Sequence, residues 1–165
     1  SLVLGELATV RTTQVNTLVM LAVALVVTYV MTERGLTIPL PMAFGVVNTP
    51  LNAYFSRYLS TRTVVLAAPG SRRVFAAYAR DLALLYMVFN CLVGALIVWL
   101  GGSVAETVAA GALASLAGST AAVLLEVYRP LTDWKSERDV MRHPRKYLPP
   151  AAALLAVLVV HVLVS

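Results

Sequence analysis

Hydrophobic positions in this chain gather into long blocks separated by short polar or basic intervals, and the blocks have the length of a bilayer crossing. The first covers about 14–32, with Arg11 before it and Glu33-Arg34-Gly35 after it. Three others cover 82–100, closed by Gly101-Gly102, then 104–127, rich in Ala and Gly, and 148–164. A helix needs about 17–25 mostly apolar residues to cross the hydrocarbon core, and each of these blocks meets that length. A fifth block, 38–58, has the length without the regularity: Pro39, Pro41 and Pro50 interrupt it, and Asn48 and Asn52 fall inside. Proline removes a backbone donor, so this block is expected to kink or to be partly re-entrant, shielded from lipid by other helices. The expected fold is all-α: a single membrane domain over 1–165, a polytopic bundle of about five transmembrane helices.

Composition supports that class. The chain is 59% apolar with mean hydropathy +0.81, against about 45–50% apolar for soluble domains. The net charge is +5, and 12 of the 13 Lys and Arg residues lie outside the blocks, a placement that suits anionic lipid headgroups as partners rather than nucleic acid. The single cysteine, Cys91, lies inside an apolar block, which leaves neither a disulfide framework nor a cysteine-rich metal site. The first block lacks the short core and small-residue cleavage site of a signal peptide and is expected to be retained.

Charge placement also orients the bundle. Of 13 Lys and Arg residues, five fall between Arg57 and Arg80 and six between Arg129 and Lys146. Lys and Arg accumulate in loops on the cytoplasmic side. A cytoplasmic N-terminus and an outer C-terminus make 59–81 and 128–147 cytoplasmic loops, and twelve of the 13 basic residues then lie inside, with Arg34 outside. This parity requires block 38–58 to cross fully.

Within the loop 59–81, a Pro69-Gly70 turn precedes an amphipathic stretch. Val74, Tyr78 and Leu82 share one face of it, and Arg73 and Arg80 another. The block 104–127 carries small residues at helical spacing: Ala110, Ala114, Gly118 and Ala122, with Gly111 and Ser115 beside them. Small side chains let helix backbones approach closely in lipid, either within the chain's own bundle or at a subunit interface. Asn48, Asn52, Asn90 and Glu126 are polar positions inside the blocks. They are candidates for a polar pathway. The two on block 38–58, one turn apart, are expected to face the same side, and Glu126, near the block's end, to form an interfacial ion pair. His143 and His161 belong to opposite ends of the membrane topology and cannot share a metal or haem.

Two strings have enzyme-like form. Arg142-His143-Pro144 with Tyr147 is similar to the RHPxY signature of isoprenylcysteine carboxyl methyltransferases, with one residue more before the tyrosine. Asp133, Glu137 and Asp139 resemble one of the two acidic motifs with which UbiA-type prenyltransferases hold a magnesium diphosphate. The corresponding first region, Asn48, Asn52 and Ser56, has no carboxylate. No catalytic residue, metal site or cofactor is therefore expected.

The stretch 48–128 resembles the permease subunits of ABC-2-type transporters. In that family a polar-interrupted second helix leads to a short cytoplasmic coupling helix, matched here by Leu66, Pro69, Ser71, Arg72 and Phe75, before the third span. The resemblance implies an exporter subunit, at least dimeric, in a prokaryotic cell membrane. It also implies a separate cytoplasmic ATPase docking on Pro69, Ser71, Arg72, Arg73, Phe75, Tyr78 and Arg80. No GxxxxGK string followed by Ser or Thr occurs, so ATP hydrolysis belongs to the partner. A non-catalytic structural or assembly subunit of a membrane complex is the alternative, and an intramembrane enzyme acting on lipid or prenyl substrates a third.

Overall fold

The computed structural model describes residues 1–164, the side chain of Glu137 excepted. Among these residues the chain is all helix, with no strand. In chain order come α1 (Leu2–Thr9), α2 (Arg11–Glu33), a 3-10 helix (Leu40–Val46), α3 (Thr49–Asn52), α4 (Tyr54–Arg57) and α5 (Leu59–Ala67). Then follow α6 (Ser71–Trp99), α7 (Val104–Tyr128), α8 (Glu137–Arg142), a 3-10 turn (Pro144–Tyr147) and α9 (Leu148–Val164).

Four helical stretches are long and apolar enough to cross a membrane: Arg11–Glu33, Ser71–Trp99, Val104–Tyr128 and Pro144–Val164. The expectation of about five such helices is corrected at 38–58, which forms no spanning helix. It is the 3-10 helix followed by two four-residue α-turns, broken at Val47-Asn48 and again at Ala53. Pro39, Pro41 and Pro50 explain the fragmentation, because each lacks a backbone donor and clashes with the preceding turn.

This broken segment nevertheless passes from one end of the bundle to the other. Met42 lies against Gly94 of α6 and Gly111 of α7. Gly45 packs under Phe89 and Val46 under Gly118. Further on, Asn52 meets Tyr86, Leu51 meets Tyr78 and Ser56 meets Glu126. Between Met42 and Ser56 the partners shift back along α6, from Gly94 towards Tyr78, and forward along α7, from Gly111 to Glu126. From Gly94 back to Tyr78 is about 24 Å of helix at 1.5 Å per residue. No residue from 38 to 59 is exposed, so the segment runs through the middle of the bundle. Irregular backbone at membrane depth is tolerated where protein surrounds it.

The helices around it divide by burial. On α6 the inward stripe includes Phe75, Tyr78, Leu82, Tyr86, Phe89 and Val93, at three- and four-residue spacing. On α7 the inward face is the small-residue row Ala110, Gly111, Ala114, Ser115, Gly118 and Ala122. A Cβ added at Gly118 would stand 2.4 Å from Val46 Cγ1, so the groove that admits the broken segment exists because this position has no side chain. The row packs within the chain's own bundle. Helix α9 lays Ala153, Val157 and Val160 inward. Helix α2, the most regular apolar block in the sequence, buries three residues, Thr13, Ala24 and Thr28.

The amphipathic stretch after Pro69-Gly70 is the first part of α6 itself, a continuous 29-residue helix, rather than a separate element before a span beginning at 82. Gly70, at φ 99, makes the left-handed turn that starts it.

Candidate functional site

Breaking a helix inside a bundle releases backbone carbonyls that need donors. Along 40–57 several receive one from a side chain of another element or of a later turn. Asn52 Nδ2 donates to Val46 O at 2.7 Å, and Asn16 Nδ2, from α2, to Val47 O at 3.1 Å. Arg57 donates to Pro50 O at 3.2 Å, the Tyr78 hydroxyl to Leu51 O, and Trp134 Nε1 to Ser56 O at 2.8 Å. The Tyr86 hydroxyl donates to Asn52 Oδ1. Asn48 Nδ2 donates to Thr17 Oγ1 at 2.7 Å. Proline breaks the segment, and a ring of long polar side chains re-satisfies it.

Two buried ion pairs pin the segment's end. Glu126, with none of its surface exposed, accepts from Ser56 N at 2.6 Å and Ser56 Oγ at 2.7 Å, and pairs with the Arg145 guanidinium. The next residue, Arg57, pairs with Glu6 of α1. Glu6 also accepts from Thr13 Oγ1 and the Tyr58 hydroxyl, both at 3.2 Å. In both pairs each side chain is at most 10% exposed. Such charges must be mutually compensated and hydrogen-bonded to be tolerated away from water. Adjacent residues thus tie one point of the chain to α1, α7 and the turn before α9. Leu131 N donates to Ser56 Oγ at 3.0 Å, so the basic loop after α7 is fastened there as well.

Several expected sites stand elsewhere than the sequence placed them. Asn48 and Asn52 do not face one side: Asn48, in the non-helical junction before α3, turns to α2, and Asn52, on α3, turns to α6. Glu126 forms an ion pair near the end of α7, but a buried one: it is wholly buried, and the Arg145 guanidinium that reaches in to it also donates to Arg129 O. Asn90 is buried and donates across to α7, to Gly111 O at 3.3 Å and Ser115 Oγ at 3.1 Å. Of the docking residues, Pro69, Arg72, Arg73 and Arg80 are exposed and Ser71 is half-buried. Phe75 and Tyr78 are buried against Phe55, with ring centroids 4.8 and 5.2 Å away, and belong to the core rather than to an open surface.

Glu6, Tyr86, Trp134 and Arg145 are side chains of this candidate site that sequence reasoning missed. Glu6 lies in α1, a helix outside every apolar block, and Arg145 sits in a loop read only as a charge marker. Tyr86, eight residues after Tyr78 on the same face of α6, left the one usable signal.

Among the described residues no three His, Cys, Asp or Glu groups gather to hold a metal. His143 Nδ1 accepts from Arg145 N at 3.2 Å, whereas His161 pairs with Glu106 at 2.7 Å near the opposite end of α7. Asp139 caps α8, taking backbone N–H groups of Ser136 and Lys135. Those donors hold its carboxyl below the usual aspartate range. The Glu137 side chain, part of the same acidic string, lies outside the described residues.

The charge distribution has one clear polarity. Arg57, Arg62, Arg145 and the start of α6 share the end of the bundle where Glu6 and Glu126 lie, while Glu106 and His161 share the other. No family model, curated protein or solved structure matches this chain. The protein is all-helical, and its four long apolar helices suit an integral membrane protein.

Proposed function

We propose that this chain is an integral membrane permease subunit of an ABC-2-like exporter, moved by a separate cytoplasmic ATPase. The observation that carries it is the discontinuous segment 40–57 threaded through the centre of the bundle. Discontinuous helices at membrane depth are how many transporters build a polar site among apolar spans. Asn48, Asn52 and Asn90 supply neutral amides at successive levels along it, which suits a lipid-like or amphipathic cargo.

In this reading the basic end faces the cytoplasm, the membrane is a prokaryotic cell membrane, and anionic headgroups surround the arginines. The subunit works as at least a dimer with itself or with related membrane subunits. The ATPase meets the Pro69-Gly70 turn through Arg72, Arg73 and Arg80, while Phe75 and Tyr78 anchor the same helix to the core. Helix α6 is continuous from that turn past Asn90, so a push at its head reaches the level of Asn90 as a tilt of one rigid body.

A second reading, a non-catalytic assembly subunit, is favoured by the two buried ion pairs, which pin the broken segment at Ser56 and Arg57. Purification from mild detergent separates the two. The exporter reading expects a co-purifying ATPase, lost on Arg72→Glu/Arg73→Glu while membrane insertion and thermal stability stay unchanged. Co-purification of integral subunits alone, or an ATPase retained by the double variant, would sink the docking proposal.

A further inference from the structure

Between α6 and α7 lies a groove with a cavity volume of about 590 Å³, within the about 300–1,000 Å³ of small-molecule sites. Its floor is Met42 of the broken segment with Gly94 and Gly111. Cys91, Ala95, Trp99 and Val108 are exposed along its rim, so it opens to whatever surrounds the spans. The two glycines give it depth: a Cβ on Gly94 would come within 3.0 Å of Met42 Cε. None of the lining residues carries a charge.

One polar group in the lining is incomplete. Asn90 is 3% exposed, and its Nδ2 donates to Gly111 O and Ser115 Oγ. A backbone carbonyl can only accept, which fixes the orientation of the amide. Asn90 Oδ1 is left buried with no partner among the described residues. An acceptor without a donor is costly in an apolar setting, and an occupant that brings the donor removes the cost. Along α6, Asn90 stands about 14 Å from Trp99 and about 18 Å from Tyr78 at 1.5 Å per residue. That is near the midplane of a hydrocarbon core about 30 Å thick. Phospholipid headgroups do not reach this level, and their acyl chains carry no donor.

We propose that this groove binds an uncharged, membrane-dissolved alcohol, its apolar body along Met42, Gly94 and Ala95 and its hydroxyl donating to Asn90 Oδ1. The site stands on the geometry of α6 and α7 and does not require the export reading. It is tested on the isolated full chain in phosphatidylcholine nanodiscs, with no ATPase present. The probe is a long-chain alcohol carrying a diazirine, competed with unlabelled alcohol or with its methyl ether, and crosslinked peptides are mapped by mass spectrometry.

Crosslinks are expected at Met42 and in 87–99 and 107–112, with the alcohol competing about tenfold better than the ether, the size of one buried hydrogen bond. Asn90→Leu is expected to erase that preference, and Ala95→Phe, which fills the groove from its exposed rim, to abolish labelling. Equal competition by alcohol and ether in the unaltered chain overturns the proposal and leaves an ordinary acyl-chain groove. Labelling that misses Met42 and both segments, or a preference that survives Asn90→Leu, overturns it as well. Failure here leaves ATPase association untouched, and failure of that association leaves the groove untouched.

Discussion

Helix α2 and the segment 40–57 invert the expected relation between apolar pattern and burial. Helix α2 reads as an ordinary membrane span and lies at the periphery, with Leu18 and Val26 more than 60% exposed. The segment 40–57 carries two prolines and two asparagines, forms no spanning helix, and has no exposed residue. In lipid the exterior of a bundle is the solvent-facing side, and that solvent demands hydrocarbon and a fully paired helical backbone. Inside the bundle neighbouring side chains supply hydrogen bonds, so irregular backbone and polar residues are accommodated there. The most span-like sequence is therefore found outside and the least span-like within.

The contrast can be broken by mutation, with the largest effect expected at the polar pin. Glu126→Ala removes one partner of a buried pair and leaves the Arg145 guanidinium and Ser56 without their acceptor. A loss of about 3–5 kcal/mol is expected, read as unfolding in mild detergent. Loss below about 1 kcal/mol would mean that the pair is open to water and the segment's end is not buried.

A smaller effect is expected at the close approach of α7 to the segment. Gly118→Ala places a Cβ within 3 Å of both Val46 methyls, and overpacking of this kind costs about 1–3 kcal/mol. Val46→Ala in the same chain is expected to recover much of the loss, because it removes the stiff branched group that the new methyl meets. If the two changes simply add, α7 and the segment are not in contact there. The smallest effect belongs to α2: Val26→Ala on its exposed face is expected to change stability by less than about 0.5 kcal/mol. A loss comparable to that of Gly118→Ala would place a partner subunit against α2.

Much of the architecture was legible in the sequence. The expected blocks 14–32, 104–127 and 148–164 correspond closely to Arg11–Glu33, Val104–Tyr128 and Leu148–Val164. Twenty apolar residues in a row have few other stable conformations in a bilayer. The prolines in 38–58 correctly forecast a break and shielding by other helices. The small-residue row of α7 indicated a close approach, though not its partner. Less of the site was legible. Nothing in local pattern links Glu6 with Arg57, or Glu126 with Ser56 and Arg145, because those separations of 51, 70 and 19 residues are set by how the helices pack. Phe75 and Tyr78 read as surface anchors in the sequence because a basic, Pro-Gly-led stretch reads as a loop outside the bundle. Its continuity with the rest of α6 carries them into the core.

The sequence by itself determined that the chain is all-helical, where the cores of its four long apolar helices lie, and that prolines interrupt 38–58, although it counted that block as a fifth span. These follow from hydropathy, proline and chain length, which act locally. Tertiary structure decided that the broken segment occupies the centre, that Gly118 makes room for it, and that Ser56 and Arg57 are held by carboxylates from two different helices. Those outcomes depend on which faces meet, and a backbone freed of its own helical hydrogen bonds has to take its partners from wherever the fold brings them.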